Sequence, residues 1–143
     1  EDATCTTTWR IDQHYPDPRN ADKYPGEEWM SIGVLTPIDF YPLPYRCFYS
    51  KDIPNMFMAG RNISVTHIAL GSTRVMRTCG LIGEVVGMAA SICAKKKVSP
   101  RDIYTTYFED LKELMRKGTG RTDVPYTQFY HQVDRTGHQA EDR

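Results

Sequence analysis

The sequence has no CxxC pair, no surplus of either charge, and no initiator methionine. Its four cysteines (Cys5, Cys47, Cys79, Cys93) and four histidines (His14, His67, His131, His138) are scattered. Zinc sites draw their ligands from tight pairs, so no metal site is expected. Irregular spacing over 143 residues also argues against a disulfide framework, and the thiols read as free. Lys plus Arg is 18 and Asp plus Glu is 18. A general nucleic-acid binder needs a basic surplus to displace counterions, so this balance argues against one. No apolar run reaches the ~20 residues that span a bilayer, and no membrane span is expected. The start, Glu1-Asp2-Ala3-Thr4-Cys5, lacks the basic and apolar regions of a signal peptide. The compartment stays open, and the chain reads as processed or cut from something longer.

What is there is ordinary globular composition, 40% hydrophobic and 25% charged, in a length that suits one domain. Charge is segregated. Residues 1–42 hold eight acids and three bases, while residues 95–121 hold eight bases and four acids. Two solvated surfaces of opposite sign account for this without a dedicated anion site.

Thr6 to Asp12 is β-branched and aromatic and predicts a strand. The prolines and turn formers of His14 to Asn20 predict a loop, prolonged by Tyr24-Pro25-Gly26. Trp29 to Leu35 reads as a short strand. Pro37, Pro42 and Pro44 confine the next stretch to an edge strand or ordered loop, because proline donates no N–H to a sheet. Tyr45 to Tyr49 predicts a strand, Asp52 to Asn55 a turn, and Met56 to Ala59 a buried strand ended by Gly60. Arg61 to Ser72 reads as a long connection.

Two helices follow. The first, about Val75 to Ala94, carries Gly80, Gly83 and Gly87. Each costs about 1 kcal/mol against alanine. Cys79, Gly83, Gly87, Ala90 and Ala94 recur at spacings of four, four, three and four, one stripe of small residues. Two readings stay open: tight packing of the helix on a sheet, or a flat cofactor against its first turns. Either way Gly83→Leu is expected to destabilise the protein. The second helix starts with Ser99 as N-cap and Pro100 at its first position. It presents a broad apolar face from Ile103 to Met115 and stops at Gly118. Residues 119–143 form a polar extension, in which Tyr126, Phe129 and Tyr130 are candidates to dock and the last residues fray.

The strongest constellation is AGRNIS at residues 59–64, THIALGSTRVMRT at residues 66–78, and the glycine-rich helix. A glycine lets a ligand approach the backbone, a helix N-terminus attracts negative charge, and Arg61, Arg74 and Arg77 supply cations. This stretch resembles the C-terminal flavin-binding segment of a family of FAD-dependent oxidoreductases. Some bacterial members carry a xanthan lyase label, for which these residues show no mechanism. The resemblance is specific over about residues 43–94, looser over residues 8–17 and the second helix, and fades after Gly118. It implies that residues 1–118 are the C-terminal part of such an enzyme. It also implies an α+β unit with a few mostly antiparallel strands and two C-terminal helices, a fragment of a Rossmann-like protein.

The resemblance further implies FAD as cofactor and hydride transfer to or from flavin N5, with a small-molecule substrate that the sequence does not name. Ala59, Gly60 and Arg61 would lie near the ribityl–pyrophosphate part. Met76, Arg77, Thr78 and Cys79 would lie near the ring, with Gly83 permitting close approach and Arg74 adding charge. His67 is a candidate to move protons or bind substrate. The alternative is that it only shapes its loop. Cys79 as a redox thiol lacks a nearby partner cysteine. The family's N-terminal GxGxxG is absent; the lone G-x-G, at Gly118 and Gly120, follows a helix. The natural partner is therefore the missing dinucleotide-binding part. The chain alone is expected not to hold FAD tightly and to self-associate through the surface that part would cover. The rival reading, from another class, is a non-catalytic interaction or carbohydrate-associated module with an aromatic binding face.

Overall fold

The computed structural model describes residues 1–16, 25–26 and 31–119. It is an α+β unit. Strand β1 (Ala3–Thr6) pairs antiparallel with β4 (Pro42–Pro44), and β2 (Ile11–Pro16) pairs antiparallel with β3 (Ser31–Thr36). Four helices follow: α1 (His67–Thr73), α2 (Met76–Lys96), α3 (Pro100–Thr105) and α4 (Phe108–Lys117). Pro42 and Pro44 sit in a two-stranded sheet, where a missing N–H costs little.

The expected strand over residues 6–12 is two strands. β1 ends at Thr6 and β2 begins at Ile11. The threonines between them bond to distant partners: Thr7 exchanges hydrogen bonds with Tyr41, and the Thr8 N–H donates to Thr78 Oγ1 at 3.1 Å. His14 to Pro16, expected in a loop, continue β2 in regular register, Ile11 opposite Thr36 through Pro16 opposite Ser31. Residues 17–20 of that expected loop lie outside the described residues, as do Trp29 and the aromatic residues of the C-terminal extension.

Tyr45 to Phe48 is a 3-10 turn and not a strand. Tyr45 and Phe48 are both fully buried, and a spacing of three puts them on one side of a helical turn, whereas in a strand they would face opposite ways. Met56 to Ala59 is not a buried strand either. Met56 is exposed, and only one isolated bridge, Tyr49 to Phe57, forms there. The turn after Ser50 folds these residues back so that the Met58 N–H meets the Phe48 carbonyl at 2.8 Å. The connection over residues 61–72 contains α1, capped by Thr66, whose hydroxyl accepts from the Ala69 N–H.

The expected second helix is α3 and α4, broken at Thr106 and Tyr107. Both of their N–H groups fall back on the Asp102 carbonyl. The break lets Ile103 on α3 and Leu111 and Met115 on α4 reach the core together. The start is a full capping box of Ser99 and Asp102, and Gly118, at φ 66°, closes α4.

The core joins Cys5, Leu43, Tyr45 and Phe48 to Leu81, Ile82, Val85, Ala89 and Ile92 of α2, and to α3 and α4. By length and composition α2 is enough to cross a membrane, which corrects the expectation that no apolar run reaches that length. Its inner face is the core of this fold, which accounts for its apolar character. The stripe of small residues points the other way. A Cβ added at its glycines, Gly83 and Gly87, or at neighbouring Gly80, meets nothing within 4 Å, so the helix makes no tight packing at these positions with the described residues.

Candidate functional site

Two surfaces carry the candidate residues. The first surrounds the start of α2. Val75 is its N-cap and offers no side-chain oxygen, so no side chain of the cap takes up the first N–H groups. Met76, in the first turn, is 92% exposed, and Arg77 beside it is exposed. Gly60, at φ 90°, needs the left-handed region that glycine alone enters freely. Ala59 and Arg61 flank it, both exposed.

Thr78 and Cys79 do not share this exposure. Thr78 is buried, and its hydroxyl is spent on Thr8 and the Ser72 carbonyl. It ties the first turn of α2 to the chain after β1. Cys79 donates to the Thr73 carbonyl. Burial pushes its thiol pKa up, against the pull of nearby Arg61, so the group is a poor thiolate. Cys5, sealed in the core, is pushed up to about 12, chiefly by burial.

The second surface is an open cleft of about 180 Å³ between β2 and α1. From β2 it takes Asp12, Gln13 and His14; from α1 it takes His67, Leu70 and Gly71, with Arg74 at the helix end. Gly71 makes the crossing possible. A Cβ there would lie 2.8 Å from the Asp12 carbonyl oxygen and 3.0 Å from its nitrogen. The two backbones therefore touch through the glycine.

Asp12 is the hub of the cleft. His14 Nε2 lies 3.0 Å from its Oδ1, and Arg74 Nη2 lies 3.4 Å from its Oδ2. The same Arg74 nitrogen donates to the Asp12 carbonyl oxygen at 3.2 Å. The His67 ring stands edge-on to Tyr15, with centroids 6.3 Å apart. Gly33 on β3 lies beside His14, where a Cβ would come within 3.3 Å of the ring.

Of the sequence-derived candidates, His67 and Arg74 meet in the cleft. Met76 and Arg77 lie just beyond Arg74 at the start of α2, and Cys79 senses Arg61. Asp12, Gln13 and His14 were not singled out. Their signal was the alternation Asp12-x-His14, which puts both side chains on one side of a strand, but Pro16 and Pro18 masked it as a loop. Among the described residues, no cluster of His, Cys, Asp and Glu suited to a metal forms.

A short helix packed against β2 is thus followed by a long glycine-bearing helix, with Arg61, Arg74 and Arg77 around the junction. A family model described as FAD dependent oxidoreductase matches residues 1–115. The chain belongs to this family. No curated protein and no solved structure matches it. The residues present fit the flavin that the family implies: bare backbone at Gly80, Gly83 and Gly87 with open space above it, an exposed thioether at Met76, and cationic Arg61 and Arg77 nearby.

Proposed function

We propose that this chain is the flavin-proximal, C-terminal part of an FAD-dependent oxidoreductase, and that it needs a dinucleotide-binding part to work. The observation that carries this is the open face at the start of α2, flanked by the Ala59-Gly60-Arg61 turn. FAD would supply hydride acceptance or donation at N5. Ala59, Gly60 and Arg61 would hold its ribityl–pyrophosphate part. Met76, Arg77 and the α2 N–H groups would border the ring, and Gly83 would leave room for it. Thr78 fixes the first turn of α2 by its bonds to Thr8, and so holds this border in place. Cys79 shapes the turn through Thr73 and is no redox partner. His67 would exchange a proton with substrate or hold it.

Alone, the chain offers one glycine turn and one helix end. An exposed helix end is worth about 0.3–1 kcal/mol to an anion. Micromolar affinity needs about −8 kcal/mol after the entropy of association. The experiment has two arms. The purified chain, incubated with excess FAD and desalted, should show no stoichiometric flavin spectrum. The same chain expressed with its preceding coding sequence should be yellow, and that sequence should contain strand, GxGxxG and helix. A colourless extended protein, or an upstream sequence without that motif, would overturn the reading. We further propose that the isolated chain self-associates through its exposed Ile68 and Met76, which light scattering reads directly.

A further inference from the structure

Strand β3 has β2 on one side and, among the described residues, no strand on the other. In an antiparallel pair alternate residues turn their N–H and C=O groups to the partner, so the other half of β3 turns its groups outward. Among the described residues no further backbone hydrogen bond reaches them. Proteins blunt such an edge with a charge, a proline, a bulge or a very short strand. This edge has none of these. Its sequence, Ser-Ile-Gly-Val-Leu-Thr, is uncharged and free of proline, and its register with β2 runs over six pairs without a shift. Val34 and Leu35, on opposite faces of the hairpin, are both exposed. A two-stranded hairpin is marginal by itself and gains from further strands. α1 lies on the face that carries Ile11 and Tyr15, with Gly71 against Ile11 and His67 against Tyr15. Val34 stands opposite Gln13 and so shares that face. α1 packs on β2 and leaves Val34 beside it half open.

We infer that β3 pairs antiparallel with β3 of a second copy of this chain, across a two-fold axis at Val34, and joins two hairpins into one four-stranded sheet. A two-fold axis normal to the sheet keeps each residue on its own face, so a residue on the axis meets the same residue of the other copy. Centring on Val34 sets valine against valine. It also sets Leu35 against Gly33, where the missing side chain leaves room for the leucine. Like charges directly opposite each other destabilise a sheet, and an uncharged β3 brings none to the seam, so it admits a strand of identical sequence. Both α1 helices then stand on one face above the outer strands. Three strand spacings of ~4.8 Å hold them about 14 Å apart, beyond the about 8–10 Å of packed helices, so they do not collide. The seam is short, so the dimer belongs to the small, weak class of interfaces and its population follows concentration. The pairing needs neither flavin nor the exposed face of α2.

The test follows the 143-residue chain, without flavin, by sedimentation over a range of concentrations, with amide hydrogen exchange alongside. The chain should pass from monomer to dimer, and the alternate amides of β3 that face away from β2 should become protected as it does. This arm needs no variant. Val34→Lys and Val34→Glu each set like charges on the axis at an exposed position. Each should keep the wild-type melt, raise the dissociation constant tenfold or more, and return those amides to free exchange. Mixing the two variants puts lysine against glutamate and should restore the dimer. Met76→Lys, on the α2 surface, should leave the β3 amides protected. A chain that stays monomeric, free exchange of those amides in the dimer, or a dimer indifferent to Val34→Lys would overturn the pairing. So would a mixture no tighter than either variant alone, or loss of the protection in Met76→Lys. Protection of the same amides in a monomeric extended protein would give this edge to the preceding part of the chain and overturn it too.

Discussion

Tyr45, Phe48, Ile82 and Ile103 are sealed from solvent in the frame of β1, β4 and α2 to α4, while Tyr15, Val34 and Leu35 on the β2–β3 hairpin are 43–51% exposed. The frame holds itself by apolar burial. The arm of β2, β3 and α1 is held by a ladder, the Gly71 contact and the Asp12 contacts with His14 and Arg74, and it is tied to the frame at the end of α1, where Ser72 and Thr73 bond to Tyr41, Thr78 and Cys79. Stability and the cleft are therefore separable: damage to the frame should unfold everything, and damage to the arm should spoil the cleft first.

Phe48→Ala should give the largest effect. Removing a fully buried phenylalanine typically costs about 3–5 kcal/mol, and a denaturant melt should show the whole transition moving. A melt within experimental error of the wild type would erase the distinction between frame and arm. Gly71→Ala comes next. Its methyl group would press on the Asp12 backbone at 2.8 Å, and overpacking of this kind costs about 1–3 kcal/mol. The nuclear Overhauser contact between Tyr15 and His67 should vanish while the signals of α2 persist. Loss of both together would mean that arm and frame are one unit.

Acid reads the frame through Asp2. Burial raises its carboxyl pKa, but the Arg46 side chain and N–H more than reverse this and hold it below the usual carboxylate range. A depressed carboxyl contributes stability above its unfolded pKa of about 3.9, and that stability is lost as pH falls through the folded value. Melts between pH 6 and pH 2 should decline below about pH 4. Asp2→Asn should start lower and flatten that decline; an unchanged profile would remove Asp2 from the frame. The smallest effect is expected at Gly83. The sequence alone predicts that leucine there is harmful, yet no atom lies near. Leucine is also the better helix former, so the melt should stay level or rise by up to about 1 kcal/mol. A marked loss would show that the outer face of α2 is already occupied in the isolated chain.

The parts legible in advance were those set by local chemistry. The extent of α2, the Ser99 cap and the Gly118 stop depend on residues within a turn of one another. What escaped depends on partners far along the chain. Tyr45 to Phe48 looks like a strand until its burial shows a period of three. α1 hides behind Gly71, a poor helix former present because Asp12 lies against it. The cleft was half legible for the same reason. His67 and Arg74 stand in a recognisable run, while Asp12 and His14 enter through pairing with β3, on which local composition is silent.

One detail of the β1–β4 pair bears on how such a protein diversifies. Thr6 lies opposite Pro42, and the Thr7 N–H donates to the Tyr41 carbonyl at 3.0 Å. The chain thus departs at residue 7 and returns at residue 41 to nearly the same point, carrying the β2–β3 hairpin as an excursion. Lengthening an excursion with fixed ends costs only about 0.6 kcal/mol per doubling of loop length. Evolution can therefore exchange the β2–β3 hairpin for one of another length, while β1, β4 and α2 keep their seams.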